Sequence, residues 1–566
     1  MKMNINKSLS MIILNFKNFR FLKLNSSFHK LHIKSFYSAN EEVEKDCNNE
    51  ILNKKAILLE KKILELESDY LSNKMQTNYL WGVDRFMDLE KFRNLSYEII
   101  EDCITYNMKI NERRVVPNVK INFLKEMFNF ELNDENKTFR NIKESLFTHI
   151  IPNMTLWNHP RFLNWYPSIT SFPAILGNYF SNLIENPGKK YEYTATGNDL
   201  EKKIILLMTK AFNMPDNLRP DINPEASGYI NFAAGEINVL SALCGRTYKM
   251  NKLKKSDFSK LKFYYSSHAH YSVPKGVNIT GGLKSVIPVR FNADKNNYEM
   301  DLEKLQIQIE KDIEDGLIPC YICGTVGTTS TSGVDNIEEL GKIKEKYDMW
   351  LHVDSAYSGN VFILDEYKYL LKGYEKVNSL CINGNKWSPV AENSGYFFFS
   401  HKFIMEETLM NKFKENEDSI KENLINYELF SSRANKSIRL YASLNSFGLD
   451  KYKEIPRRFI RVAKIFEKNL KQTGKFLIVG QTEFALVCFT LDTKENTQKY
   501  MDFVNKENYL YIGPYLLPNV PDNKNYILRI SINYLYVTDI QAQKDSEYLI
   551  DAYYRCFEKN EIKNKL

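Results

Sequence analysis

Between residues 228 and 390, short apolar runs alternate with amphipathic ones, and several apolar runs end at a reactive side chain. "GYINFAAGEINVLSALCGRTY" reads as a strand, a small-residue turn and a helix. "KFYYSSHAHYSVPKGV" is a strand running into a helix start. "LIPCYICGTVGTTSTSG" is a buried strand with a hydroxyl-rich loop, followed by the amphipathic "DNIEELGKIKEKYDM". "WLHVDSAYSG" is a strand ending at an acid, and "SLCINGNKW" is a strand that delivers a lysine. A βαβα order of this kind predicts a mostly parallel sheet whose functional residues collect at the carboxyl ends of its strands.

The flanking sequence predicts additional parts. Residues 51–71 carry a helical apolar stripe among Lys and Glu, and helical patterns run from about residue 85 to 150, broken by "RRVVPNV". From about residue 450, one helix pattern and the runs "EFALVCFTL" and "YILRISINYLYV" predict a smaller α+β domain. The expected division is a tail at 1–40, a helical segment at 41–160, a large domain at 161–448 and a small domain at 449–566.

The formal net charge of +7 raises the question of nucleic-acid binding. Residues 1–40, however, hold seven Lys/Arg and no acid, and the rest of the chain balances 70 basic against 70 acidic residues. The excess belongs to the tail, so no basic binding surface is expected on the body. The tail suits either a mitochondrial transit peptide or a disordered extension of a cytoplasmic protein. No run reaches about 18 uninterrupted apolar residues, so no membrane span is predicted. Eight dispersed cysteines argue for reduced thiols. Cys320 and Cys323 form a CxxC, but strand alternation is expected to send their sulfurs to opposite faces, so no metal site is predicted.

Four strand ends offer complementary groups. Ala234 and Gly235 open a helix, where small residues let backbone N–H groups approach a phosphate. His270, Asp354 and the turn Asn383–Asn385–Lys386 supply an imidazole, an acid and a lysine. Together they match the needs of pyridoxal 5'-phosphate: a lysine for its aldehyde, an acid for its pyridine nitrogen, a flat group for its ring and a cradle for its phosphate. Singly, each has a plainer reading: a helix cap for Asp354, a core histidine for His270, a turn glycine for Gly235.

Over roughly residues 85–560 the sequence also resembles the group II pyridoxal-phosphate decarboxylases, specifically the aromatic-L-amino-acid decarboxylases. The resemblance is carried by "RRVVPNV", "MTLWNHPRFLNWYPS", "AHYSVPKG", "GTVGTTSTSGVDNI", "WLHVDSAYSG", "NGNKW" and "FALVCFTL". It implies a fold-type I α/β subunit with a helical N-terminal segment and a small C-terminal domain, assembled as a homodimer acting on a small amino-acid substrate. By position it implies Lys386 as the Schiff-base lysine, Asp354 as partner of the pyridine nitrogen and His270 stacked on the ring. Ala356 would cover the other ring face, with Ala234, Gly235 and Asn383 on the phosphate side and Thr325 near the cofactor. Trp165, Tyr166 and Pro167 match the stretch lining the substrate pocket; as residues alone they read equally as aromatic core.

Three positions depart from the family pattern. Asn385 stands where a phosphate-contacting histidine is usual. Gly235 stands where a Ser or Thr hydroxyl is common. The family's loop tyrosine, which returns a proton to the substrate carbon after carbon dioxide leaves, aligns without gaps to Leu424, and Tyr427 lies three residues on. Tyr427 would fill that role only with a three-residue deletion. The reaction implied is decarboxylation of an L-amino acid, aromatic by resemblance, to the amine. The alternatives are oxidative conversion to an aldehyde, decarboxylation of histidine or another amino acid, or a non-catalytic scaffold.

Overall fold

The computed structural model describes residues 89–127, 138–184, 191–231, 233–253, 258–409, 424–429, 435–520 and 525–558. The basic tail and the 51–71 stripe lie outside the described residues. The chain divides into two compact units. The described part of the first comprises residues 89–105 and 138–140, where Arg140 pairs with Glu98 at 2.8 Å. Everything below concerns the second.

Before the first strand, helix α1 (Phe172–Ile184) packs one face closely on a later helix; a Cβ at Gly177 would come within 2.7 Å of the Arg439 Cα. The strands then follow as β1 (Ser227–Asn231), β2 (Leu261–Ser266), β3 (Leu283–Ile287), the hairpin β4 (Val289–Asn292) and β5 (Asn297–Met300), and β6 (Ile318–Thr325). β7 (Trp350–Asp354), β8 (Ser379–Asn383) and β9 (Gly395–Phe399) complete the large sheet. Its seven strands lie in the order β1-β9-β8-β7-β6-β2-β3. β9 runs antiparallel to both neighbours, and the other pairs are parallel. β7, β8 and β9 are buried throughout, which is why those runs read as almost continuous apolar sequence.

Helices α2 (Ala234–Leu253) and α3 (Ser272–Thr280) follow β1 and β2, and α4 (Ile337–Tyr347) lies between β6 and β7. The α4 ends show how sequence places them. The Asn336 side chain accepts from the Glu339 N–H, Glu338 and Glu339 occupy the first turn, Lys344 and Lys346 the last, and Asp348 closes the helix in a left-handed conformation. α5 (Ser437–Gln472) leads into the small sheet and is interrupted at Gly448, where φ is 69°. β10 (Leu477–Ile478), β11 (Leu486–Thr490), β12 (Gly513–Leu516) and β13 (Tyr526–Ser531) form that sheet in the antiparallel order β10-β11-β13-β12.

One expectation fails. Cys320 and Cys323 do not face opposite ways: both join the apolar cluster containing Phe263 and Trp350. The β2–β6 register slips by one residue, Lys262 pairing with Pro319 but Phe263 with Tyr321, so Cys320 is an extra residue in a bulge. Burial pushes both thiols up. Among the described residues no group of three or more His, Cys, Asp or Glu is placed to hold a metal, and no helix is long and apolar enough to cross a membrane.

Candidate active site

β1, β2, β6, β7 and β8 all point their carboxyl ends to the same edge of the sheet, and the predicted groups gather there. Asp354 is the last residue of β7, Thr325 of β6 and Asn383 of β8; Ala234 and Gly235 open α2 after β1, and His270 follows β2. Lys386 ends a tight 3₁₀ turn, Gly384–Lys386, directly after β8.

The turn is held from both sides. Trp387, next to the lysine, is fully buried and packs edge-on against Tyr357 with ring centroids 5.1 Å apart. Ser388 Oγ donates to Asn360 Oδ1 at 3.0 Å, and Asn360 Nδ2 donates to the Asn383 carbonyl at 2.9 Å. The tryptophan therefore anchors the turn while the lysine projects from it. Lys386 Nζ lies 5.1 Å from the Tyr166 ring centroid and 6.0 Å from that of Tyr357. It makes no hydrogen bond or ion pair among the described residues. Burial pulls its pKa below the usual lysine range, with the Asp354 charge opposing.

Asp354 is buried, and each of its oxygens accepts one hydrogen bond from the protein. Its Oδ1 accepts from the Ala356 N–H and its Oδ2 from Asn238 Nδ2, both at 3.0 Å. Burial, then the Lys386 charge, pull His270 down, so its imidazole is neutral near pH 7. Behind them, His352 is held down to about 4 by burial, and Asp335 is pushed up to about 6 by burial while accepting from the N–H groups of Thr325 and Met300.

Polar atoms on the phosphate side are not satisfied by the protein. Thr325 Oγ1, Asn383 Oδ1 and Asn385 Oδ1 are buried without a hydrogen-bond partner. Asn385 Nδ2 donates weakly to Ser168 Oγ at 3.3 Å. A Cβ at Gly235 would meet only Ser272 Cβ, at 3.8 Å. Of these the Thr325 hydroxyl can donate, whereas the two Asn oxygens only accept; with the first-turn N–H groups and spare room at the start of α2, that hydroxyl suits a phosphate-bearing group. The donor set fits pyridoxal phosphate.

Two predicted residues lie elsewhere. Trp165 is half exposed and stacks on Trp157 with centroids 6.5 Å apart, whereas the Tyr166 ring centroid lies 5.1 Å from Lys386 Nζ and Pro167 is buried. Tyr427 is buried against Tyr229 and Phe399, with its hydroxyl near Ser227 and Glu406. Ser227 begins β1 and pairs with Phe399, so this is the opposite edge of the sheet. Within the chain, neither Tyr427 nor Leu424, which shares its apolar cluster, is brought to Lys386.

Sequence reading missed Asn238, His352, Tyr357 and Arg529. Arg529 lies in β13, buried, with its guanidinium 4.5 Å from the Tyr515 ring centroid and 5.8 Å from that of Tyr166. Among the described residues no carboxylate pairs with it. An arginine inside the apolar run "YILRISI" was the available signal.

A lysine, an acid and a histidine at the carboxyl edge of a mostly parallel sheet, beside a helix start suited to a phosphate, define a fold-type I pyridoxal-phosphate enzyme. The pyridoxal-dependent decarboxylase conserved domain matches residues 122–492, and the chain belongs to that family. It is similar to tyrosine decarboxylase 2 of Narcissus pseudonarcissus, with 27% identity covering 79% of this chain and 90% of that one. It is also similar to 4-hydroxyphenylacetaldehyde synthase of Rhodiola rosea, with 26% identity covering 75% of this chain and 89% of the other. In fold it matches the crystal structure of Oryza sativa TDC with PLP and tryptamine, at a TM-score of 0.78 and 21% identity, covering 83% of this chain and 99% of that one. The protein is thus a pyridoxal-phosphate-dependent amino-acid decarboxylase, a carboxy-lyase.

Proposed function

We propose that the substrate is an aromatic L-amino acid and the product its amine and carbon dioxide. The observation carrying this reading is the unpaired Lys386 ammonium set beside the Tyr166 and Tyr357 rings, on the strand edge that also holds Asp354 and His270. The similarity to enzymes named for tyrosine and 4-hydroxyphenylacetaldehyde supports the substrate class.

In this reading Lys386 would hold the cofactor through its aldehyde carbon, and burial, which lowers the lysine pKa, favours the neutral amine that such a bond requires. Asp354 holds a proton at the pyridine nitrogen. His270 and Ala356 would flank the cofactor's ring. Ala234, Gly235, Asn383 and Asn385 hold the phosphate, with Thr325 beside the cofactor. Tyr166 and Pro167 wall the substrate pocket. When bound, pyridoxal phosphate supplies the electron sink for the pair left behind by departing carbon dioxide.

We also propose a homodimer. On α1, Phe172, Ile175, Leu176, Tyr179, Phe180, Leu183 and Ile184 are exposed, a contiguous apolar face of the size that proteins usually cover. A second copy is the occupant that the family resemblance implies.

The test is carbon dioxide release by the purified protein with added pyridoxal phosphate, across Tyr, Dopa, Trp, 5-hydroxytryptophan, Phe, His and Glu. The expected result is release from an aromatic subset with the amine as product. Aldehyde and hydrogen peroxide instead would establish the oxidative reaction, and release from His or Glu alone would overturn the aromatic assignment.

A further inference from the structure

Asn238 lies on the second turn of α2, between the two groups that face the cofactor position. Its Nδ2 donates to Asp354 Oδ2 at 3.0 Å and to Ser272 Oγ at 2.8 Å, which uses both amide hydrogens. Its Oδ1 lies 3.0 Å from His352 Nε2. His352 Nδ1 lies 2.9 Å from Ser379 Oγ, and Trp350 Nε1 donates to that same oxygen at 2.9 Å. At the other end Ser272 Oγ lies 2.7 Å from His270 Nδ1, to which the Ser272 backbone N–H also donates at 3.3 Å. All of these groups are buried except His270, which is half-buried.

Chemistry fixes the direction of every bond in this chain. An ionised carboxylate only accepts, so the nitrogen of the Asn238 amide must face Asp354 and its oxygen must face His352. His352 therefore carries its hydrogen on Nε2 and accepts at Nδ1 from the Ser379 hydroxyl. That hydroxyl is free to donate because the Trp350 indole, which can only donate, occupies one of its lone pairs. On the other branch, Ser272 Oγ accepts from Asn238 and has its own hydrogen left for His270 Nδ1. The Ser272 backbone N–H, another obligatory donor, makes the same demand independently.

We propose that Asn238 is a positioning residue that fixes, through one directed hydrogen-bond chain, both the orientation of the Asp354 carboxylate and the tautomer of His270, with the His270 proton on Nε2. This rests on the reading of Asp354 and His270 as the groups facing cofactor and substrate. A single amide on α2 thus sets the acceptor for the pyridine nitrogen and the donor for the substrate, and the two cannot be altered separately from this position. Ser272 belongs only to the His270 branch.

The test measures tautomer and cofactor affinity, not turnover. Protein labelled with ¹⁵N-histidine and loaded with pyridoxal phosphate is examined by long-range ¹H–¹⁵N correlation, with the His270 signals assigned from a His270→Asn sample. The expected wild-type spectrum shows His270 protonated at Nε2 and bare at Nδ1. Asn238→Asp keeps the shape but replaces a donor with an acceptor facing Asp354. It should weaken pyridoxal phosphate binding by roughly tenfold or more and move the His270 proton toward Nδ1. Ser272→Ala should mix the His270 tautomers while leaving cofactor affinity within about twofold of wild type. A wild-type His270 protonated at Nδ1 overturns the proposal. So does an Asn238→Asp protein with unchanged tautomer and affinity, or one that merely melts earlier. Should Asn238→Asp fail to fold, the wild-type spectrum and Ser272→Ala decide. Absence of any visible absorbance from bound cofactor would instead sink the assignment of Lys386, while the His270 tautomer of the resting protein would still confirm or overturn the chain's direction.

Discussion

The Asp354 end of the site and its Lys386 end differ in how much of their hydrogen bonding the protein supplies. Around Asp354, the carboxylate, the Asn238 amide, His352, Ser379 and Ser272 use one another as donors and acceptors. Around Lys386, the ammonium has no polar partner among the described residues, and Thr325 Oγ1, Asn383 Oδ1 and Asn385 Oδ1 are buried and unmatched. Leaving a buried polar atom unmatched costs about 1–3 kcal/mol, and of these three the Thr325 hydroxyl is the one that an acceptor such as a phosphate can relieve. The first end is preorganised, and a saturated network resists rearrangement. In the proposed function, one end would orient the ring and the other would receive the phosphate and aldehyde.

Breaking the open end should have the largest effect. Lys386→Ala is expected to abolish the visible absorbance of bound cofactor and lower decarboxylation by about a thousandfold or more, measured as carbon dioxide release. Retained absorbance would mean that another lysine holds the cofactor.

The saturated end can be broken with acid. His352 has a folded pKa of about 4, below the ordinary histidine value of 6.5. Its neutral form therefore contributes stability that is fully present above pH 6.5 and lost as pH falls toward 4. A His352→Gln protein cannot take up that proton. Its stability deficit relative to wild type should shrink by about 3 kcal/mol between pH 7 and pH 4, read from denaturant midpoints. A constant deficit would show that His352 does not titrate in this window.

Sharpening the contrast requires filling the open end. Gly235→Ser restores a hydroxyl in space where a Cβ meets nothing closer than 3.8 Å. It should tighten pyridoxal phosphate binding by about two- to tenfold, the worth of one added hydrogen bond. Weaker binding would mean that the hydroxyl points away from the phosphate.

The smallest effect is expected from Tyr427→Phe. With its ring packed on Tyr229 and Phe399, the change should cost about 1 kcal/mol of stability and less than about twofold in turnover. A large loss of turnover with accumulation of aldehyde would place this hydroxyl at a reacting centre after all.

The ordered strand ends made Lys386, Asp354, His270 and the α2 start legible in the sequence. A βαβ chain has little choice about where such ends collect, and each of these residues sits on or just beyond an element. Tyr427 was not legible because its environment is set by two strands that pair in the sheet, with Tyr229 in β1 far earlier in sequence and Phe399 in β9. The CxxC failed for a related reason: a one-residue bulge in β6 answers to the register with β2, and nothing in "IPCYIC" announces it. Asn238 looked like an ordinary polar residue in a helix. Its role depends on His352 and Asp354 lying 114 and 116 positions later.

β9 is the strand that breaks the parallel pattern, and this bears on timescale. Residues 384–394 connect β8 to β9 as a long hairpin corner, and each leg also pairs outward, β8 with β7 and β9 with β1. The amide hydrogens of both legs should then exchange with solvent only when the whole sheet opens. In the corner the backbone turns through φ of 66° at Ala391 and 62° at Asn393, and the buried Ala391 N–H is itself held by the Ile169 carbonyl at 2.9 Å. The reactive lysine sits three residues into that corner. Its base is as slow as the sheet, and Ile169, which accepts from the Ala391 N–H and donates to the Asn385 carbonyl, ties the far side of the loop to the residue beside the lysine.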